Sequence, residues 1–217
     1  MRSQPEEFAA RANEKRSTFY FVGALLVLAG ISVPAGAQED VKVTIETHFS
    51  PNRGGARPIQ DAWIRELGNA TSSIRVAMYS FTLQSFKNAL IDAKGRGVDV
   101  RVLADKDGLY YSGAPSCPAV DLYNAGIPIK GYLPSDPRDL LHDKFMLIDD
   151  YILVTGSANF TTAAVQFNHE NSIILKAVGD TPRFISSYRD QFESMWNDEF
   201  ADFNGSFQDW VPEGSCL

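Results

Sequence analysis

The chain has 217 residues, which is enough for one compact domain. Hydrophobic residues make up 44% and charged residues 22% of the chain, which excludes a disordered tail, a collagen-like repeat and a polytopic membrane protein. The formal net charge is -7, so bulk charge cannot hold nucleic acid and any anion site must be local. The two cysteines, Cys117 and Cys216, form no CxxC motif, so they disfavour a zinc ribbon and permit one disulfide.

The N-terminus has the pattern of a targeting segment. Basic residues are scattered through residues 1–18, an uninterrupted apolar run covers Phe19–Val33, and Ala35-Gly36-Ala37 follows. This order predicts a signal peptide over residues 1–37 and a secreted or periplasmic domain over residues 38–217. The alternative is an uncleaved anchor that associates with a membrane through residues 19–33.

The rest of the chain alternates strands and helices. The apolar patterns predict strands at Val41–Phe49, Ile74–Phe81, Val98–Ala104, Ile127–Leu133, His142–Ile148, Tyr151–Thr155 and Asn171–Ala177. They predict helices at Ile59–Leu67, Phe86–Ala93, Ala119–Asn124 and Phe184–Trp196, and a helix start at Thr161. We expect one α/β domain whose mixed β-sheet is sandwiched between helices.

The strongest chemical signal is the pair His142 and Lys144. Residues two apart on a strand share one face, so the imidazole and the ammonium are expected to point the same way. An imidazole that acts as nucleophile or acid beside a fixed cation suits an anionic substrate, above all a phosphodiester. Because Lys144 would repel a cation held by His142, we expect no metal and no other cofactor.

Polar groups that are suited to binding a phosphate lie within the thirty residues after His142. Ser157 and Asn159 supply a hydroxyl and an amide just before the helix start at Thr161, where helix donors favour anions. Gly156 allows the close approach of another backbone or a ligand. Glu170 is a candidate acceptor for an imidazole N–H, an interaction that fixes the tautomer and raises the basicity of the ring.

The remaining candidates carry weaker signals. Asp149 lies at an odd spacing from His142 and in a turn, so we expect it to hold a hairpin or an interface. Tyr110 and Tyr111, in the Gly- and Ser-rich loop Asp105–Pro118, are candidates for stacking on a substrate. His169 is a candidate for substrate contact without a supporting pattern.

These residues resemble a known motif. The pattern His142-x-Lys144-x4-Asp149 followed by Gly156-Ser157-x-Asn159 is similar to the HKD motif of the phospholipase D superfamily. Residues 49–51, 73–81 and 93–100 resemble its short, single-motif branch, which includes small bacterial periplasmic endonucleases and mitochondrial cardiolipin hydrolase. The resemblance implies a phospholipase D-like catalytic domain.

The resemblance also implies a mechanism. His142 of one subunit attacks phosphorus and forms a phosphohistidine, and His142 of a second subunit protonates the leaving oxygen and then activates water. Lys144 and Asn159 neutralise the phosphate oxygens, Ser157 supports them and Glu170 orients His142. The residue types alone indicate a similar mechanism, because displacement at phosphorus needs a nucleophile and an acid on opposite sides of the phosphorus atom. With one well-equipped histidine per chain, we expect a homodimer with a shared active site.

Three functions follow from this reasoning. The leading interpretation is a metal-independent phosphodiesterase that acts as a nuclease on DNA or RNA. The first alternative is a phospholipase D that hydrolyses phosphatidylcholine or cardiolipin to phosphatidic acid. The second is a non-catalytic nucleic-acid or lipid binder with the same fold, which the complete set of polar residues disfavours.

Overall fold

A computed structural model of the chain describes residues 42–52, 54–105, 108, 118–132, 136, 138–198 and 201–202. All of these residues belong to the unit that spans Glu39–Leu217. The predicted signal segment 1–37, the loop tyrosines Tyr110 and Tyr111, and the cysteines Cys117 and Cys216 lie outside the described residues. Within the described part of the chain, no helix has both the length and the apolarity to cross a membrane.

The described residues form eight strands and five helices. The strands are β1 (Lys42–Ser50), β2 (Ser73–Met78), β3 (Asp99–Asp105), β4 (Ile129–Tyr132), β5 (Lys144–Ile148), β6 (Ile152–Gly156), β7 (Glu170–Val178) and β8 (Ala201–Asp202). The helices are α1 (Pro58–Asn69), α2 (Gln84–Gly95), α3 (Pro118–Asn124), α4 (Thr162–Gln166) and α5 (Arg183–Trp196).

One sheet contains all eight of these strands, in the order β1-β7-β6-β5-β2-β3-β4-β8. The pairs β2–β3 and β3–β4 are parallel, as expected for strands joined by the helical crossovers α2 and α3, and the other pairs are antiparallel. The predicted mixed sheet in an α/β domain is therefore confirmed.

The central strands are buried on both faces, which explains why they are nearly continuous apolar runs. Along β5, Met146 packs in a cluster with Leu67 of α1, whereas Phe145 packs in a second cluster with Phe192 of α5. Helices therefore cover the sheet on both sides, and the predicted helical layers are confirmed.

Two predicted strand boundaries are wrong at the residues that matter for function. His142 and Asp143 precede β5, because the pairing with β2 starts at Lys144, which lies opposite Met78. The predicted strand Ile74–Phe81 ends at Met78, after which the chain turns away and Phe81 forms an isolated bridge with Phe160. The edge strand β8 was not predicted.

The tight turn between β5 and β6 is fixed by the carboxylate of Asp149. It accepts five hydrogen bonds of 2.7–3.0 Å from backbone and hydroxyl groups of Thr71, Ser72 and Ser73. Asp149 and Asp150 adopt φ values of 53° and 60°, which short polar side chains tolerate better than most. Burial raises the pKa of Asp149, but the hydrogen bonds from Ser73, Ser72 and Thr71 outweigh this effect and leave it lowered.

Candidate active site

The candidate residues meet where β5 begins, β6 ends and β7 begins. The register places Phe145 opposite Thr155 and Gly156 opposite Ser172, so the three strand termini lie side by side. These termini supply, in that order, His142 and Lys144, then Ser157 and Asn159, then Glu170. The sheet thus brings together five side chains that the sequence singled out.

His142 and Lys144 are in direct contact although His142 lies outside the strand. The Lys144 ammonium lies 3.2 Å from His142 Nδ1 and donates to the His142 carbonyl oxygen at 2.7 Å. The imidazole is exposed, whereas the lysine is partly buried. Since Nδ1 faces the ammonium, Nε2 is the ring nitrogen left to face a substrate.

Tyr79 completes this cluster. Its ring centroid lies 4.8 Å from that of His142 and 5.4 Å from the Lys144 ammonium nitrogen. Its backbone N–H donates to the Asp143 carbonyl oxygen at 3.0 Å, which extends the alignment of the two segments beyond the paired part of β2 and β5. The imidazole, the ammonium and the aromatic ring therefore form one cluster.

The Lys144 ammonium has no close counter-ion in the described part of the chain. Among the described residues, no carboxylate lies within salt-bridge distance of it. Burial lowers its pKa, and the charges of Asp143 and Glu170, which favour the ammonium, only partly oppose that effect. An uncompensated cation in a partly buried position is suited to receive an anion such as a phosphate.

Ser157, Glu170 and Asn171 form a second cluster beside the first. The Ser157 hydroxyl donates to Glu170 Oε2 over a short distance and accepts from the backbone N–H of Asn171 at 3.1 Å. The Asn171 side-chain amide also donates to it, at 3.3 Å. Because a serine has a single proton to donate, Ser157 here holds Glu170 in place and has no donor left for a phosphate.

The contact expected between Glu170 and His142 is absent within the described chain. The Glu170 carboxylate is held instead by Ser157 and, at 3.4 Å, by the Asn168 side-chain amide. His169 is exposed, and no hydrogen bond among the described residues joins its ring to either cluster. His169 therefore stays a candidate on sequence grounds alone.

Asn159 and Gly156 both lie in close contact with backbone atoms of other segments. Asn159 Oδ1 accepts from the Ser80 backbone N–H at 3.3 Å, which leaves the amide N–H groups of Asn159 to serve as donors. Gly156 has a φ of 150°, and a Cβ atom built there would lie 2.3 Å from the Asn171 carbonyl oxygen. A side chain at this position would displace Asn171 and with it the Ser157 cluster.

Thr161, the predicted helix start, is the N-cap of α4, and its hydroxyl accepts from the Ala164 backbone N–H at 3.1 Å. Asn159 therefore lies two residues before the N-cap of a short helix. The described residues contain no group of three His, Cys, Asp or Glu side chains arranged to hold a metal ion.

A cavity of about 510 Å³ opens beside His142. Tyr132, Met195, Asp143 and Asp198 contribute to its lining, and no lysine or arginine is among the described lining residues. Burial raises the pKa of Tyr132, and the charge of Asp198 raises it further. The described wall of this cavity therefore carries the carboxylates of Asp143 and Asp198, in contrast to the cationic Lys144 that contacts His142.

Tyr79, Ser80 and Asn171 were not predicted as site residues. All three lie inside predicted strands, but their contacts reach across 63 positions to His142, 79 positions to Asn159 and 14 positions to Ser157, respectively. The available signal was position: Tyr79 and Ser80 follow a buried strand, the place where chains of this architecture present functional groups.

Comparison with known proteins places the chain among relatives. The family model described as "Cardiolipin synthase, PLD-like domain" matches residues 63–196. Mitochondrial cardiolipin hydrolase of Mus musculus is 33% identical over 146 residues, which are 66% of this chain and 60% of that protein. A phospholipase D of Rickettsia bellii is 32% identical over 132 residues, 61% of each chain. The chain spans about three-fifths of the length of these curated relatives.

Solved structures agree with this placement. Nuc from Salmonella typhimurium, a phospholipase D family member, is 29% identical with a TM-score of 0.61, over 72% of this chain and 95% of Nuc. NucT from Helicobacter pylori has a TM-score of 0.56 at 20% identity, over 70% of this chain and 96% of NucT, and so shares the fold. Because the family model covers more than half of the sequence and the HKD residues lie inside it, the chain belongs to the phospholipase D-like domain family.

Proposed function

We propose that the protein hydrolyses phosphodiester bonds without a metal ion, through a phosphohistidine on His142. The observation that carries this proposal is the Lys144 ammonium, which lies 3.2 Å from His142 Nδ1 and has no carboxylate partner among the described residues. A nucleophile beside an uncompensated cation matches the needs of a phosphate, whose oxygens gain negative charge near the transition state.

The reaction has two balanced steps. In the first, His142 Nε2 attacks phosphorus, a P–N bond forms, the P–O bond to the leaving alcohol breaks and an acid protonates the alcohol oxygen. In the second, water attacks the phosphohistidine, the P–N bond breaks and a phosphomonoester and free imidazole result. Lys144 and the Asn159 amide N–H groups bind the non-bridging oxygens, while Glu170 is held by Ser157.

The acid for the first step comes from a second copy of the chain. Nucleophile and acid must lie on opposite sides of phosphorus, and the described site contains one histidine, His142, in contact with a lysine. A two-fold axis next to His142 supplies the second imidazole with its own Lys144. Phe49, which is 64% exposed and pairs with Asn171 in the sheet, offers apolar surface beside the site for such an interface.

Nucleic acid is the leading substrate class, which follows from the resemblance of the sequence to the small single-motif endonucleases. A phospholipid is the second candidate. Two observations favour it: the curated relatives include proteins named cardiolipin hydrolase and phospholipase D, and the described lining of the cavity beside His142 contains the exposed carboxylate of Asp143 and no lysine or arginine. Such a wall repels the neighbouring phosphates of a nucleic acid and tolerates a neutral or cationic headgroup.

The test presents the purified protein with single-stranded DNA, duplex DNA, RNA, phosphatidylcholine and cardiolipin side by side, with His142→Asn as the inactive control. Cleavage of any of them by the wild type alone supports the phosphodiesterase, and the substrate cleaved fastest identifies the class. If no diester is cleaved while a nucleic acid or a lipid still binds, the protein is a non-catalytic binder and the proposal fails.

We also propose that the protein acts after export, with residues 1–37 as its signal peptide. The support is the order of basic, apolar and small residues in that segment. Mass spectrometry of material exported by a bacterial host is expected to show an N-terminus at Gln38. A full-length species in the membrane fraction would instead establish the anchor.

A further inference from the structure

We infer that Tyr79 is a positioning residue whose aromatic ring holds the Lys144 ammonium against His142. This inference rests on the proposed function, because it concerns the same reaction. Neither the HKD pattern nor the predicted set of site residues includes Tyr79.

Tyr79, Lys144 and His142 are in mutual contact. The Lys144 nitrogen lies 5.4 Å from the Tyr79 ring centroid, within the range of a cation–π interaction, and 3.2 Å from His142 Nδ1. The Tyr79 and His142 rings are tilted by 50° with centroids 4.8 Å apart. The Lys144 ammonium therefore contacts both of two neighbouring rings, and Tyr79 is the one that takes no part in the covalent steps.

Tyr79 also stabilises the charge of Lys144. The titratable groups around it are His142, Tyr79 and the more distant carboxylates of Asp143 and Glu170. Burial disfavours the ammonium and lowers its pKa, and among the described residues the charges of Asp143 and Glu170 offset this only in part. The face of an aromatic ring stabilises a cation without neutralising it, so Tyr79 keeps Lys144 charged while its charge stays available to a phosphate.

The Tyr79 backbone is held in place by contacts at its N–H and its carbonyl group. Its N–H is bound to the Asp143 carbonyl oxygen at 3.0 Å. On the opposite side Gly108 packs so closely that a Cβ atom there would lie 1.5 Å from the Tyr79 carbonyl oxygen. Gly108 O also accepts from the Phe81 N–H at 3.3 Å. Contacts therefore hold the backbone of this segment on two sides, so the ring can leave Lys144 only by rotation about its own side-chain bonds.

The test compares Tyr79→Phe, which keeps the ring, with Tyr79→Leu and Tyr79→Met, which remove it. Activity is measured against pH with bis(4-nitrophenyl) phosphate, whose good leaving groups need no acid. Catalysis needs charged Lys144, so activity falls as the pH rises through its pKa. Without the ring the charged form loses stabilisation, and the alkaline limb is expected to move down by about half a pH unit or more. Tyr79→Phe is expected to keep the wild-type profile.

A second measurement does not depend on activity. The pKa of the Lys144 amine is read from the pH dependence of its acetylation, followed by peptide mass spectrometry, in each variant. It is expected to be lower in Tyr79→Leu and Tyr79→Met than in the wild type. Tyr151→Leu, which removes a 40% exposed tyrosine from the far end of the β5–β6 hairpin, is the matched control and is expected to change neither readout.

The inference is overturned if the ring-deleted variants keep both the alkaline limb and the Lys144 pKa, or if Tyr79→Phe is as impaired as Tyr79→Leu. The second result would assign the effect to the hydroxyl group. Failure of the proposed function looks different: His142→Asn would then hydrolyse the same diester as fast as the wild type. Acetylation of Lys144 reports on Tyr79 in either case.

Discussion

The charged residues at the two ends of the β5–β6 hairpin differ in the partners that surround them. At the turn, the Asp149 carboxylate accepts five hydrogen bonds from Thr71, Ser72 and Ser73. At the open end, the Lys144 ammonium has a carbonyl oxygen, a ring nitrogen and an aromatic face as neighbours, but no close carboxylate among the described residues.

One short motif therefore contains a charged residue that stabilises the fold and another that is available to a ligand. A charge whose hydrogen-bonding capacity is filled by its own chain lowers the free energy of the fold and has nothing left for a ligand. A charge that remains uncompensated costs stability and can bind one. Asp149 and Lys144 belong to the same sequence pattern, yet the structure gives them these two different tasks.

The largest effect is expected at the open end. His142→Asn removes the nucleophile, so turnover of the natural diester is expected to fall about a thousandfold or more. Because His142 is exposed, the unfolding midpoint in urea is expected to stay within error of the wild type. A variant that unfolds early, or one that keeps its turnover, would contradict the division between the two ends.

The same variant tests whether two chains share one site. If each dimer needs His142 from both subunits, activity after subunit exchange falls with the square of the wild-type fraction. Independent sites give a linear fall. The substrate must be a natural diester, because a nitrophenyl leaving group needs little protonation and would hide the loss of the acid. A linear titration would mean that another residue of the same chain is the acid.

The next effect is expected at the turn. Asn tolerates the positive φ of Asp149, but its NH2 group would face a backbone N–H that now has a carboxylate oxygen as acceptor. Asp149→Asn is therefore expected to lower the free energy of unfolding by about 2 kcal/mol, with kcat almost unchanged. Asp150→Asn, which changes an exposed neighbour, is the control and is expected to cost under about 0.5 kcal/mol. Equal losses in urea unfolding would refute the assignment.

A smaller effect is expected in the pH dependence of the stabilisation by Asp149. The pKa of Asp149 is lowered in the folded protein, so its stabilisation is present above the unfolded value of about 3.9 and is lost as the pH falls through the folded value. The stability advantage of the wild type over Asp149→Asn is therefore expected to be constant near neutral pH and to shrink below about pH 4. Urea unfolding of both proteins across this range measures it, and an advantage that persists in acid would exclude the carboxylate as its source.

The smallest effect is the one expected from chelation. Since the Lys144 ammonium lies beside the His142 ring, a divalent cation bound there would meet an unscreened positive charge. Excess EDTA is therefore expected to leave the initial rate of diester hydrolysis unchanged. Loss of activity that Mg²⁺ or Zn²⁺ restores would replace the phosphohistidine mechanism with a metal-assisted one.

Periodic features of the sequence predicted most of the fold, because they depend on neighbouring residues. The amphipathic spacing of α5 and the buried run of β3 are examples, and both elements lie within two residues of the predicted bounds. The end of β2 was placed three residues too late, since the chain leaves the sheet to reach Phe160, which is 79 positions away from Phe81. No local pattern carries that information.

The candidate site was also predictable only in part: its residue types were predicted, whereas the contacts among its side chains were not. The residue types at positions 142, 144, 157, 159 and 170 indicated phosphate chemistry, and the sheet brings these side chains to neighbouring strand ends. The partners that orient them are different from those expected: Glu170 contacts Ser157, and Tyr79 contacts His142 and Lys144. Side-chain pairing across strands depends on register and rotamer, which a single sequence does not specify.

The strand order also bears on how the protein can be rebuilt. Strands β1 and β8 form opposite edges of the sheet, separated by seven inter-strand spacings of about 4.8 Å, or about 34 Å in all. The described strands therefore begin at one edge of the sheet, at Lys42, and end at the other, at Asp202. A circular permutant that joins Asp202 directly to Lys42 would need a linker of at least about 10 residues to connect the two edges.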